Sequence, residues 1–286
     1  MNRARVITEV ETYLKEPEVI QKVSRESVLE NEIFFHSARN PLSYVLWLLK
    51  RATRINPSTL LELSDLPNSE QWGSLMYERL IPVQRKKIPG LIEPIVGNMT
   101  EFILKKNSDT VILGLGAGPM EIERQVIGRL KKNAHKNKVK FVGCDISSKA
   151  SEFARKNLFD SLDEQYSVEF IKGDVLSFPQ EIFDVKCDLV YHSLFRHHLS
   201  DEKKHVLDET VEKLHTHVLE YDGYRSVPNL IPQSIMAWGN PIFLNAAIFS
   251  NLRFIPKSSV ISRADKLGVK ASLYNIGNYL LEYNTQ

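Results

Sequence analysis

Leu113-Gly114-Leu115-Gly116-Ala117-Gly118-Pro119 is the stretch on which the reading of the chain turns. Before it, Thr110 to Leu113 is a short apolar run with the length and composition of a buried strand. After it, Ile122, Val126, Ile127 and Leu130 recur at helical spacing, so a helix starts near Pro119. Three glycines between a strand and a helix let the backbone turn tightly and approach a ligand that a Cβ would obstruct. The helix start offers unpaired N–H groups and the positive end of its dipole.

Working outward toward the carboxyl end, strand and helix alternate. Val139 to Cys144 reads as a second strand and Ser148 to Leu158 as a helix. Val168 to Ile171 and Cys187 to Tyr191 read as the third and fourth strands. Ser200 caps a long helix with Leu207, Val211, Leu214 and Val218 on one stripe. Gln233 to Trp238 reads as a fifth strand and Pro241 to Phe249 as a helix, and Ser259 to Tyr283 has room for two more strands. Alternation of this kind implies right-handed crossovers and an α/β fold with a doubly wound, mostly parallel sheet.

Toward the amino end the texture changes near residue 107. Val6-Val10-Leu14, Val45-Leu48-Leu49 and Leu91-Ile95-Phe102-Ile103 keep helical spacing, interrupted at Pro17, Asn40-Pro41, Asn56-Pro57, Pro67-Asn68, Pro82 and Pro89. The expected division is a helical N-terminal region, 1–106, serving as cap, acceptor-binding element or homodimer interface, and a ligand-binding domain, 107–286.

Composition excludes several classes. With 286 residues, 43% hydrophobic and 25% charged, the chain is ordinary globular sequence, and a formal charge of +2 steers it toward neither nucleic acid nor an anionic membrane. Two cysteines, Cys144 and Cys187, cannot build a disulfide framework, and no histidines stand at metal-ligand spacing beside them. No apolar stretch approaches the ~20 residues of a membrane helix, and the amino terminus lacks an apolar signal core. A cytoplasmic protein without a bound metal is the expectation. Arg85-Lys86-Lys87, Lys105-Lys106 and Lys131-Lys132 are short and lack interleaved aromatics, so they read as solvated faces and disfavour a nucleic-acid partner.

The chemistry lies at the strand ends, where open α/β sheets bind ligands. Strand two ends in Gly143-Cys144-Asp145-Ile146-Ser147, whose aspartate can accept the hydroxyls of a ribose. Strand three ends in Gly173-Asp174-Val175, where a carboxylate can receive the amino group of adenine while Ile146 and Val175 flank the ring. Singly each aspartate could be a turn former. Two of them after a glycine loop are harder to explain in that way.

In these motifs the chain resembles the class I, Rossmann-like S-adenosylmethionine-dependent methyltransferases. The resemblance covers Val111 to Glu220 and rests on the glycine loop and on Phe141 to Ser147 with Ala154 to Leu158. It extends through Phe170 to Val175 and Cys187 to Asp201. It implies a seven-stranded sheet, S-adenosylmethionine as cofactor, and cofactor contacts from Gly114, Leu115, Gly116, Ala117, Gly118, Asp145, Ile146, Asp174, Val175 and Tyr191. Two departures stand out: Ile112 occupies a position where the family carries an acid, and Lys131 to Lys140 lengthens the connection to strand two. A nicotinamide enzyme would want glycine where Pro119 stands, and the Gly-Lys-Ser/Thr ending of a nucleotide triphosphatase loop is absent.

Residues just beyond strand four would line the methyl-donor pocket. His197 or His198 could take a proton from an acceptor, and Arg196 could orient an anionic one; packing and capping are the plainer roles for the same side chains. Trp47, Trp72, Tyr77, Arg79, Arg85, Trp238 and Asn240 are candidate acceptor contacts. The Asn/Asp-Pro-Pro-Tyr/Phe signature of amino-group methylation is absent, and a small-molecule acceptor is the leading expectation. The competing ones are an RNA or protein acceptor, or a protein that keeps the cofactor fold without turnover.

Overall fold

The computed structural model describes residues 3–51, 60, 66, 70–82, 91–158, 162–177, 182, 185–274 and 277–285. Among these, helices alone precede residue 107: α1 (Arg3–Tyr13), α2 (Pro17–Lys22), α3 (Arg25–Ser37), α4 (Pro41–Arg51), α5 (Glu70–Pro82) and α6 (Glu93–Lys106). Their starts follow capping chemistry. Pro17 sits in the first turn of α2, where no N–H is missed, and the Ser24 hydroxyl accepts the Ser27 N–H at the start of α3. The expected breaks at Asn56-Pro57, Pro67-Asn68 and Pro89 lie outside the described residues, as does Arg85.

From residue 107 the elements are β1 (Thr110–Leu115), α7 (Glu121–Lys132), β2 (Val139–Asp145), α8 (Ser148–Asn157), β3 (Tyr166–Lys172) and β4 (Leu189–Ser193). They continue as α9 (Asp201–Lys213), β5 (His217–Gly223), α10 (Val227–Ala237), α11 (Pro241–Arg253), α12 (Lys257–Lys266), β6 (Ser272–Tyr274) and β7 (Asn278–Asn284). The seven strands form one sheet in the order β3-β2-β1-β4-β5-β7-β6. It is mixed where a mostly parallel sheet is expected from sequence: β1 to β5 pair in parallel, whereas β7 runs antiparallel to both β5 and β6. The connection from β6 to β7 is too short for a crossover, which forces that pair to be antiparallel.

Two further expectations fail. Gln233 to Trp238 is the end of α10, not a strand: Leu230, Ser234 and Ala237 are buried at helical spacing, and Ile231 and Ile235 face out. The true fifth strand is His217–Gly223, and the helix expected to run through Val218 ends at Lys213, with His215 in the left-handed region at φ 45°. Leu207 and Val211 keep the helical stripe, while Val218 belongs to the sheet.

The chain divides into two compact units. One combines Met1–Leu80 with Arg225–Phe254, the other Ile81–Tyr224 with Ile255–Gln286. In the first, Phe34 meets Trp47, Tyr44 and Phe249 edge-on, Trp47 stacks on Phe249, and the Asn245 amide donates to Asn31. The second holds the whole sheet. On one face, Ile95, Met99 and Ile103 of α6 and Val126 and Leu130 of α7 cover Ile112, Phe141, Leu189 and Tyr221. On the other, Leu207 and Val211 of α9 cover the row Leu113, Val142, Val190 and Val218, in lateral register across four strands. Each such side chain contributes about 1.5–3 kcal/mol on burial. No described helix is long and apolar enough to cross a membrane.

Candidate active site

The carboxyl ends of β3, β2, β1, β4 and β5 lie side by side, and the candidate side chains stand at or just beyond them. The glycine loop is built for close approach. Gly116 and Gly118 hold φ of 64° and 56°, and a Cβ on Gly116 would collide with the Phe195 ring. A Cβ on Gly114 would meet the Tyr191 hydroxyl at 2.7 Å. The Ala117 N–H donates to the Cys144 carbonyl at 3.1 Å, tying the loop to the end of β2. Leu115 is fully buried in the α9-side core, so only its backbone faces the loop.

Asp145 is fixed by two backbone donors. Its Oδ2 accepts the Gly118 N–H at 2.9 Å and its Oδ1 the Ser147 N–H at 2.9 Å. Burial pushes its carboxyl upward, while these bonds and the nearby charge of His198 oppose the rise. Beside it, Ile146 is 68% exposed, an apolar side chain held out at the strand tip. Asp174 is exposed and closes its own turn, Oδ1 accepting the Leu176 N–H at 2.9 Å. Val175 is buried beside Val142 and Cys144, so the exposed apolar surface at these two tips comes from Ile146 rather than from the expected pair.

After β4, Leu194 takes φ 51° and its N–H donates to the Tyr221 carbonyl, turning the chain into a short 3-10 segment over Arg196–His198. His197 and Asp222 are almost wholly buried, with Nδ1 and Oδ1 2.8 Å apart. Asp222 Oδ2 also accepts the His197 N–H at 3.0 Å, so one carboxylate orients both ring and backbone. Burial raises the Asp222 carboxyl, but the charge and hydrogen bond of His197 outweigh it and hold the group below the usual range. The His198 ring lies on that of His197, centroids 4.1 Å apart.

Arg196 points elsewhere. Its guanidinium bonds Asp208 at 2.6 and 2.9 Å, within a cluster where Arg263 also grips Asp208 and the fully buried Glu220. Tyr279 donates to Glu220, and His192 lies 3.7 Å from it. Burial would raise Glu220, yet Arg263, His192 and Arg196 keep it below the ordinary carboxylate range.

Tyr191 is buried on the opposite face and donates to Glu123 in the first turn of α7. Glu123, Asp222 and Phe195 are not singled out by sequence reasoning. Glu123 looks there like an acid favouring a helix start, and Asp222 falls after a helix drawn too long. Among the acceptor candidates, Trp47 and Trp72 are buried in the first unit. Arg3 lies 4.1 Å over the Trp238 ring, and Asn240 accepts the Ile242 and Phe243 N–H groups as the cap of α11. Tyr77 is half-buried on α5. Among the described residues, no group of three or more His, Cys, Asp or Glu side chains could hold a metal ion.

Residues 126–217 match a methyltransferase domain family, a stretch that contains Asp145, Asp174, Tyr191 and Arg196–His198. No curated protein matches the chain. Among solved structures, a small RNA methyltransferase is 16% identical at a TM-score of 0.53, covering 69% of this chain and 26% of its own. A putative S-adenosyl-L-methionine-dependent methyltransferase from Methanococcus maripaludis is 16% identical at 0.49, covering 75% and 94%. Magnesium protoporphyrin IX methyltransferase from Synechocystis PCC 6803, solved with its cofactor bound, is 10% identical at 0.47, covering 82% and 99%.

Proposed function

We propose that this chain, whose residues 126–217 match a methyltransferase domain family, is a class I S-adenosylmethionine-dependent methyltransferase that methylates a small molecule at an ionisable O–H with His197 as the base. The residues present fit the cofactor. The loop admits no side chain at Gly114 or Gly116, Asp145 is held by backbone donors at the end of β2, and an exposed isoleucine stands beside it. Gly114 to Gly118 would cradle the amino-acid arm, Asp145 the ribose, and Ile146 with Asp174 the adenine. The cofactor supplies an electrophilic methyl on a sulfonium, open to in-line displacement.

The observation that carries the acceptor reading is the buried His197–Asp222 pair. A carboxylate only accepts, so Asp222 favours the tautomer with the proton on Nδ1, in which the ring's lone pair is on Nε2. Such a base takes the proton of a hydroxyl as its oxygen attacks, and serves an amine or thioether less. Arg196 is committed to Asp208, so its part is to fix the segment that carries the two histidines.

A nucleic-acid acceptor is less well supported. Lys105, Lys106 and Lys131 are paired with Glu101, Asp188 and Asp163, at 2.6, 2.5 and 2.8 Å. Incubating the protein with methyl-labelled cofactor and cell extract tests the reading. Label should enter a species that survives nuclease and protease. Label in RNA or protein alone would overturn the acceptor class.

A further inference from the structure

Glu123 is an anomaly in the core. It is 1% exposed, its Oε1 accepts the Tyr191 hydroxyl, and its Oε2 is buried without a hydrogen-bond partner among the described residues. A buried carboxyl oxygen left unpaired is costly, and a structural acid in such a position would be expected to pair both oxygens. The site is next to the glycine loop: the Tyr191 hydroxyl that Glu123 holds lies 2.7 Å from where a Cβ of Gly114 would be. Ile112 lies on the same face of β1 and is fully apolar, so at this end of the strand the carboxylate comes from α7.

The groups facing Glu123 leave a place for a cation. Tyr191 comes from β4 and is neutral, its ionisation opposed by burial and by the charges of Glu123 and Asp145. Glu121, from α7 itself, is negative and is gripped by Arg124 at 2.7 and 3.0 Å, so the guanidinium on this turn of α7 is spent on Glu121. Burial pushes the Glu123 carboxyl up to about 7, against the Tyr191 hydrogen bond, and the charge of Glu121 adds to the rise.

We propose that Glu123, positioned by Tyr191, receives the α-ammonium of the cofactor's amino-acid arm, so that this arm is recognised from the helix after the loop. The inference rests on the cofactor reading above. The arm's carboxylate would take the N–H groups at the start of α7, and its ammonium the orphaned oxygen of Glu123. Protonated Glu123 must then give its proton to solvent when the ammonium arrives, and binding tightens as the pH rises through the group's free value.

Titration calorimetry on the full chain tests this with two ligands. S-adenosylhomocysteine carries the ammonium without the sulfonium charge, and 5′-methylthioadenosine keeps the adenosine and lacks the arm. For the first, affinity should rise between about pH 6 and about pH 8, with proton release seen as a buffer-dependent heat; for the second, neither effect should appear. Glu123→Gln should weaken the first ligand about tenfold or more, remove its pH dependence, and leave the second unchanged. Tyr191→Phe should weaken the first less. Equal pH responses for both ligands in the wild-type chain would overturn the proposal without any variant, as would an unaltered Glu123→Gln. If neither ligand binds the wild-type chain, the cofactor reading itself fails.

Discussion

At the scale of single residues, the site depends on a few backbone and side-chain positions with little latitude. Gly116 is the sharpest case, since its φ of 64° and the Phe195 ring against it both exclude a side chain. Gly116→Ala should cost about 1–3 kcal/mol of stability and weaken cofactor binding at least about tenfold, read by chemical denaturation and calorimetry. A stable variant with full affinity would remove the loop from the site. His197→Gln should lower kcat by about 10²–10⁴-fold with the cofactor KM little changed. Asp222→Asn, which disturbs the ring's tautomer and not the ring itself, should reproduce part of that loss. The tight glycine turn and the strand-end place of Asp145 were legible in the sequence because backbone freedom and strand-end position leave a local signature, and their part in binding is proposed. His197 was legible only as a candidate, since its partner lies on a strand that apolar periodicity did not reveal.

At the scale of elements, β5 shows why. Its residues alternate between faces that are both buried, and its inward polar groups, Glu220 and Asp222, are tolerated only through partners from α12 and the segment after β4. Those partners are 43 and 25 residues away in sequence. A hydrophobicity pattern has no means of anticipating them. Arg263→Met should therefore destabilise the sheet-bearing unit by about 3 kcal/mol, since it breaks a buried pair and leaves Glu220 to the more distant Arg196 guanidinium, His192 and the Tyr279 hydroxyl. Equilibrium unfolding checks this, and a loss under about 1 kcal/mol would make the cluster incidental. The sign of the pH response follows from the same groups. Asp208, Glu220 and Asp222 are all depressed in the folded chain. Their stabilisation is present above the unfolded carboxylate values near about 4 and is lost as pH falls through the lower folded values. Acid unfolding of the wild-type chain should set in below about pH 4, and the Arg263→Met chain should unfold at higher pH. For α10 the error ran the other way: a short apolar run fits strand or helix equally, and only the burial of Leu230, Ser234 and Ala237 decides it.

At the scale of the whole molecule, the sequence boundary near residue 107 marks where strands begin, whereas compactness groups α6 with the sheet and α10 and α11 with the first helices. A chain that leaves one unit and returns to it has no composition change at the crossing, so sequence texture alone does not find it. Cofactor should protect the two units unequally. Hydrogen exchange with S-adenosylhomocysteine present should slow at 113–119 and 143–148, while α1 to α4 change little; protection confined to α1 to α4 would relocate the ligand. The central claim is that the tips of neighbouring strands meet on one adenosine, with Asp145 as its ribose acceptor. Calorimetric titration of wild-type and Asp145→Ala chains with S-adenosylhomocysteine tests it most directly. One site per chain is expected, with affinity lower by about 1–3 kcal/mol in the variant while its fold is kept. Equal affinity of the two folded chains would contradict it.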